Sequence, residues 1–241
     1  MYNLGPQFHL NQDNLRVNER CIFIGPKYRI EVLTERLIRL EYSEQGKFVD
    51  SASALVINRN FERPLFEVKE DQVFIYINTK YINLKYMKNS KLSEKSLSAT
   101  IMYSKKEWFY TQKEVKNYGG TTISLDNTLK MPNLDKGLFN PDMYLIMDDS
   151  NSLLLDENSN VYKREENSKD IYIFAYSNDF NEVLNDYADV FMYFMIVAIL
   201  LVLLKLLRLI LSPLCWLCPC RWCCCKRYCP MKCYCCCCKK C

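Results

Sequence analysis

Beyond Asp189 the chain holds no Asp, Glu, Asn, Gln or Gly. The 52 residues from Val190 to Cys241 are built from apolar, basic and cysteine residues, so this part can offer no carboxylate for acid/base chemistry. The part before it lacks other things. Cys21 is its single cysteine, which excludes a disulfide framework and fits a reducing compartment. His9 is the one histidine of the chain, no Ser/His or Cys/His nucleophile arrangement is visible, and a lone histidine near a terminus is more often exposed than catalytic. The opening residues, Met1 to Asn14, lack a basic start and an apolar core and do not read as a secretory signal.

Charge follows the same seam between Asp189 and Val190. Eight of the 32 Lys+Arg lie beyond it and none of the 28 Asp+Glu does. That leaves 24 basic against 28 acidic residues before the seam, net −4, and +8 after it. The overall charge of +4 describes neither part. The first part shows no basic stripe with interleaved aromatics, so no nucleic-acid partner is expected. Its length suits one domain with a proper core.

What the first part does contain is short runs of Val, Ile, Leu, Tyr and Phe, the residues that suit a pleated, half-buried surface. Strands are expected at Cys21–Ile24, Arg29–Leu33, Leu37–Tyr42, Ala54–Ile57, Val73–Ile77, Ile82–Tyr86, Thr100–Tyr103, Trp108–Tyr110, Tyr144–Met147, Leu153–Leu155 and Ile171–Ala175. Val73–Ile77 is apolar on both faces, as for a strand between layers. Ile82–Tyr86 alternates cleanly, as for a sheet with one wet face. Turn signals such as Gly25-Pro26, Gln45-Gly46 and Asp148-Asp149-Ser150-Asn151 separate the runs. Many short strands with frequent turns predict a mainly β, antiparallel β-sandwich over residues 1–189. One helix follows, with Ser177-Asn178-Asp179 as its N-cap and Phe180, Val183, Leu184 and Tyr187 on one face.

Several blocks carry a resemblance. Gly119-Gly120-Thr121-Thr122-Ile123-Ser124-Leu125-Asp126 resembles the GGT-x-x-x-LD segment of glycoside hydrolase family 31, the α-glucosidases and α-xylosidases. Gly137-Leu138-Phe139-Asn140-Pro141-Asp142-Met143-Tyr144 is similar to that family's G-L-L-S-R-D-G-W. Asp148 to Asp156 resembles I-D-D-S-x-S-L-L-L-D from its Asp-Asp onward, and Asp170 to Phe180 resembles D-x-Y-F-F-x-Y-G-x-D-Y. Upstream, Arg29 to Ser43 looks like the family's first hairpin, R-x-x-V-x-T-x-x-L-I-R-L-E-Y-S. The likeness covers roughly residues 25–188 and keeps the family's order. Pro141 stands where the family has Arg, and Met143-Tyr144 where it has Gly-Trp.

The resemblance implies the family's N-terminal sandwich, similar in fold to galactose mutarotase, which precedes a catalytic (β/α)₈ barrel. Retaining hydrolysis needs two carboxyls about 5–5.5 Å apart, and in the family both sit on that barrel. This chain shows no W-x-D-M-N-E nucleophile segment, so no catalytic residue, cofactor or metal is expected in it. The pairs Asp148-Asp149 and Glu165-Glu166 are read as solvated surface acids. By the resemblance, Asp142 and Tyr144 are the candidate substrate-binding residues: an aromatic face packs on sugar C–H groups, and a carboxylate accepts hydroxyl hydrogen bonds. The alternative is that Tyr144 starts a core strand and Asp142 serves the Asn-Pro-Asp turn. A sandwich without its barrel would also expose the face that docks there, which invites association.

Residues 190–211 form a run with only Lys205 and Arg208 charged. As a helix it spans about 33 Å, enough for a bilayer core of about 30 Å. It reads as a single-pass transmembrane helix, with residues 212–241 as a cysteine-rich basic tail. The positive-inside rule puts that tail in the cytosol and the sandwich outside, whereas the missing export signal and the single cysteine fit a cytosolic sandwich. Thirteen cysteines lie between Cys215 and Cys241. Three readings of them stay open. Palmitoylation beside a membrane is one. A metal site using Cys215-x-x-Cys218 and Cys220-x-x-Cys223 is another. The third is a shifted reading frame with no selected function, which would leave a cytoplasmic protein. Function is accordingly read in three ways: a glycosidase-family fragment without its barrel, a membrane-anchored sugar-binding or scaffold module, or a cysteine-rich membrane or metal-binding protein.

Overall fold

In the computed structural model, the described residues are 2–3, 10–111, 118–119, 137, 140–179, 181 and 184–190. The chain divides into two compact units, Met1–Met192 and Tyr193–Cys241, and the second lies outside the described residues. With it lie the expected transmembrane segment after Val190 and the cysteine-rich tail. Among the described residues no helix is long and apolar enough to cross a membrane, and no group of three or more His, Cys, Asp or Glu is placed to hold a metal ion.

Alternation of apolar side chains builds the first unit from antiparallel strands. They are β1 (Tyr2–Asn3), β2 (Ile22–Ile24), β3 (Tyr28–Val32), β4 (Leu37–Tyr42), β5 (Ala52–Ser53), β6 (Phe66–Glu70), β7 (Phe74–Thr79), β8 (Ile82–Met87), β9 (Leu97–Ile101), β10 (Lys106–Phe109), β11 (Tyr144–Asp148), β12 (Leu153–Leu155), β13 (Asn160–Lys163) and β14 (Lys169–Ala175). Sheet I runs β11-β14-β4-β3-β2, sheet II runs β10-β9-β8-β7-β6, and the small sheet III runs β1-β13-β12-β5. The expected mainly antiparallel β architecture is present.

Sheets I and II share one apolar core. Ile30, Ile38, Leu40, Ile171 and Ile173 of sheet I join Ile75, Ile77, Ile82, Leu84 and Ile101 of sheet II in a single buried cluster. The Tyr28 and Tyr86 rings meet edge to face across it, centroids 5.2 Å apart, an arrangement that aromatic quadrupoles favour. The period of two then dictates what the outer faces carry. On sheet II that face is wetter: β8 alternates buried residues with half-buried Asn83 and Met87 and exposed Lys85, as expected. β7 differs from expectation. Ile75 and Ile77 are buried, but Phe74 and Tyr76 are half-buried outside the core. The Lys85 ammonium lies 4.4 Å from the Phe74 ring centroid, so a cation covers that aromatic face instead of a second layer. The strands buried on both faces are β3, β4 and β14 of sheet I.

Segment 54–57 was expected to be a strand, yet the strand is β5, just before it. The Ser53 hydroxyl accepts the Leu55 and Val56 N–H groups at 3.2 and 2.9 Å and turns the chain there. After β14, Asp179 caps the helix by accepting the Asn181 N–H at 3.1 Å. Residues 181 and 184–190 are helical. Tyr187 packs on Phe174, centroids 6.3 Å apart, while Leu184 is 44% exposed instead of facing the core. Val190 is fully buried with Leu33, Leu37, Val56, Tyr172 and Phe174, and its carbonyl accepts the Ile57 N–H at 3.3 Å. The first residue past the compositional seam is thus a packed part of the first unit.

Leu40 has no exposed surface in the shared core. Leu40→Ala is expected to lower unfolding free energy by about 2–5 kcal/mol, read as a shifted urea midpoint in far-UV circular dichroism.

Candidate functional site

The outer face of sheet I is charged and dry. Arg29 and Glu31 on β3, Arg39 and Glu41 on β4, and Asp170 on β14 project from it, all buried. Arg39 is the hub. Its Nε donates to Asp170 Oδ1 at 2.9 Å and its Nη2 to Oδ2 at 2.8 Å, a bidentate pair. Arg39 Nη1 reaches Glu31 at 2.9 Å and Nη2 reaches Glu41 at 3.0 Å. Arg29 pairs with Glu41 at 2.6 Å and Glu31 at 3.2 Å, and also with Asp50. Arg164 comes from the β13–β14 connection and meets Asp170 at 2.8 Å, with Asp149 and Glu41 each at 3.4 Å. Arg59 completes the set by donating to the Tyr172 hydroxyl at 2.9 Å.

Four arginines therefore face four buried carboxylates: Glu31, Glu41, Asp149 and Asp170. Buried charges survive only when paired and hydrogen-bonded. The backbone helps, because the Val49 carbonyl accepts from both Arg29 and Arg39, and the Val49 N–H donates to Glu41. Burial works to raise the Asp170 carboxyl, but Arg39, Arg164 and Arg59 outweigh it and hold the group below its ordinary 3.8. Burial pushes Glu41 up in spite of Arg39 and Arg29. Asp149 is raised by burial and by the neighbouring Asp170. Each carboxylate has a cationic partner within the cluster, so the arrangement locks strands together.

Asp149 corrects one expectation. The Asp148-Asp149 pair was read as solvated, but only Asp148 is exposed; Asp149 is fully buried beside Arg164. Neighbouring residues at a strand end point opposite ways, and Arg164, fifteen positions on, supplies the charge that lets one of them go inside. Glu165 and Glu166 are exposed as expected, and Glu165 pairs with Lys47 at 2.8 Å.

The sequence-derived candidates lie at the far end of sheet I. Asn140 ties their turn together: its Nδ2 donates to the Tyr144 carbonyl at 2.6 Å, and its backbone N–H donates to the Tyr176 hydroxyl at 2.9 Å. Met143 takes φ 59° between them, a left-handed conformation that L residues rarely adopt. Tyr144 then starts β11 and pairs with Ala175. Its ring is 5% exposed and belongs to the shared core, so it offers no open face for a sugar. Asp142 is partly open. Its carbonyl accepts from Ser104 Oγ at 2.7 Å, and its Oδ2 lies 3.7 Å from Lys106 Nζ. That oxygen is buried and has no hydrogen-bond partner among the described residues. Ser104 and Lys106 were not singled out from the sequence, since only the fold brings the β9–β10 turn against this loop. Tyr103, beside Ser104, is 49% exposed. Most of the Gly119–Asp126 block lies outside the described residues.

No protein-family model matches the chain, and no curated protein matches it. Among solved structures, the chain is similar to a GH31 dextranase of Flavobacterium johnsoniae complexed with glucose, and to a mutant of that enzyme complexed with isomaltotriose. Each match has 16% identity and a TM-score of 0.38, and covers 68% of this chain and 25% of the other. The chain thus spans about a quarter of the length of those enzymes.

The ion cluster predicts opposite pH trends for two of its members. Asp170, lowered, stabilises the fold above its ordinary 3.8, and this is lost as pH falls through its folded value. Asp149, raised, contributes stability that is complete below 3.8 and is lost as pH rises through its folded value. Asp170→Asn should therefore cost about 3–5 kcal/mol at pH 7 and less at pH 3. Asp149→Asn should cost less at pH 7 than at pH 3. Urea midpoints of both variants at the two pH values check the signs.

Proposed function

We propose that the chain carries the non-catalytic β-sandwich of a family 31 glycoside hydrolase, and that this chain alone hydrolyses no glycoside. The observation supporting this is where the family-like blocks go. The hairpin block supplies Arg29, Glu31, Arg39 and Glu41, the Asp-Asp block supplies Asp149, and the last block supplies Asp170 and Tyr172. All of them enter one buried ion cluster. Asn140, from a further block, and Tyr176, from the last one, pin the Asn140–Tyr144 turn. The resemblance is therefore carried by residues that hold a fold. The paired carboxylates of a retaining glycosidase, about 5 Å apart across an open cleft, have no counterpart among the described residues.

The same reading gives the chain a carbohydrate partner. Asp142 is the proposed polar contact: its partly open carboxylate can accept from one hydroxyl, and the Lys106 Nζ beside it can donate to a second. Tyr144 acts through the core, fixing the loop that presents Asp142. Tyr103 is the exposed ring near that edge and supplies the stacking face. The rest of the apolar run, 191–211, supports a single-pass membrane anchor following this sandwich in the chain. The functional class is thus a carbohydrate-binding module of glycoside metabolism.

Calorimetric titration of the full chain with glucose and isomaltotriose, run beside an α-glucosidase assay, tests the proposal. Saturable binding, about tenfold weaker in Asp142→Asn, with no turnover, is the expected result. Turnover of an α-glucoside would overturn the non-catalytic reading. Absent binding, or binding unchanged in Asp142→Asn, would overturn the carbohydrate contact.

A further inference from the structure

A cavity of about 260 Å³ opens at the other end of sheet I, where the end of β4 and the segment after it, the β12–β13 hairpin and the β13–β14 connection meet. Asp142 precedes β11, whose Tyr144 pairs with Ala175, whereas the cavity lies at Lys169. The length of β14, about 20 Å at roughly 3.3 Å per residue, separates the two places. The cavity falls just below the roughly 300 Å³ at which drug-sized pockets begin, so it suits a small occupant.

Its lining combines two chemistries. Phe48 and Tyr162 supply rings, and both are held in place: the Tyr162 hydroxyl donates to Ser51 Oγ at 2.7 Å, and Phe48 lies under Arg29, 5.5 Å from its guanidinium carbon. The charged lining is Arg164, Lys47, Lys163 and Lys169 against Glu41 and Glu165. Lys47 is engaged by Glu165, and Arg164 by the buried cluster. Lys163 and Lys169 have no carboxylate partner among the described residues, which leaves the lining a surplus of two positive charges. Arg164 is a buried member of the lining. Its side chain is 3% exposed, yet its Nε has no hydrogen-bond partner among the described residues. A buried guanidinium nitrogen left without an acceptor is costly.

We propose that this cavity binds a small anionic carbohydrate, a monosaccharide carrying one phosphate or carboxylate group. Lys163 and Lys169 bind the anion, and the rings pack on the sugar's C–H face. A lysine ammonium binds phosphate as a point charge, while an aromatic wall selects for a ring-shaped body. A neutral sugar leaves the lysines without an acceptor, and a bare anion leaves the rings unused.

Calorimetric titration of the full chain, kept reduced, with glucose 6-phosphate, glucuronate, glucose and inorganic phosphate tests this, in the parent chain and in the Lys163→Ala/Lys169→Ala double variant. Lys163 is exposed and Lys169 is half-buried, and a thermal melt of the variant reads the fold separately. The expected result is saturable binding of glucose 6-phosphate or glucuronate at least about tenfold tighter than of glucose or phosphate. A loss of about tenfold in the double variant, at an unchanged melting temperature, should accompany it. Whichever of the two anionic sugars binds identifies the anion. Equal affinity for glucose, equal affinity for inorganic phosphate, unchanged binding by the double variant, or no saturable binding would each overturn the proposal. Asp142→Asn should leave this titration unchanged.

Discussion

The Arg39–Asp170 pair is the contact on which the rest of sheet I depends. It joins β4 to β14, strands that are neighbours in the sheet but 131 residues apart in sequence. A bidentate guanidinium–carboxylate pair tolerates little displacement, so it fixes the register of the two strands more sharply than apolar contact can. The pair also recruits its surroundings. Glu31, Glu41, Arg29 and Arg164 are buried because Arg39 and Asp170 leave charges that need partners, and each added partner needs one of its own. The cluster closes when the arginines and the buried carboxylates balance. Such a cluster adds little net stability over an apolar core of the same volume, but removing one member leaves a bare charge inside.

This changes what the family-like blocks say. Motifs rich in Asp, Glu and Arg invite a catalytic reading, and in this chain that reading fails on geometry. The carboxylates are dry, paired and facing the covering segment 47–61, not an open cleft. Their chemistry is spent on one another. Pairing is incomplete at the two ends of sheet I: among the described residues, Asp142 keeps a buried oxygen without a hydrogen bond at one end, and Lys163 and Lys169 have no carboxylate partner at the other. Both ends are built by loops that the cluster and the Asn140–Tyr176 bond hold still.

Much of the β architecture was legible in the sequence, since β4 and β12 match their expected spans and β3, β8, β11 and β14 do so within a residue or two. Alternation over five or six residues is a local property, and local properties can be read. The failures are long-range. The Phe66–Glu70 strand carries charges at Glu67, Lys69 and Glu70, as an edge strand does, and its pairing with β7 is what reveals it. Asp149 gave no sign of burial because its partner, Arg164, belongs to another turn. Leu184 fitted the helical stripe, yet the helix turns Tyr187 and Val190 inward instead. Of the candidate site, the Asn140–Tyr144 loop was legible as a place. That Tyr144 starts a core strand was one of two readings, and the fold decides for it; the company of Ser104 and Lys106 needed the fold.

A double-mutant cycle on Arg39→Gln and Asp170→Asn, read by equilibrium unfolding at neutral pH, tests the central claim most directly. The account predicts that the two substitutions are strongly coupled, with an interaction energy of about 1–3 kcal/mol. Costs that simply add, to within about 0.5 kcal/mol, would show that the pair does not hold β4 to β14 and would contradict the account.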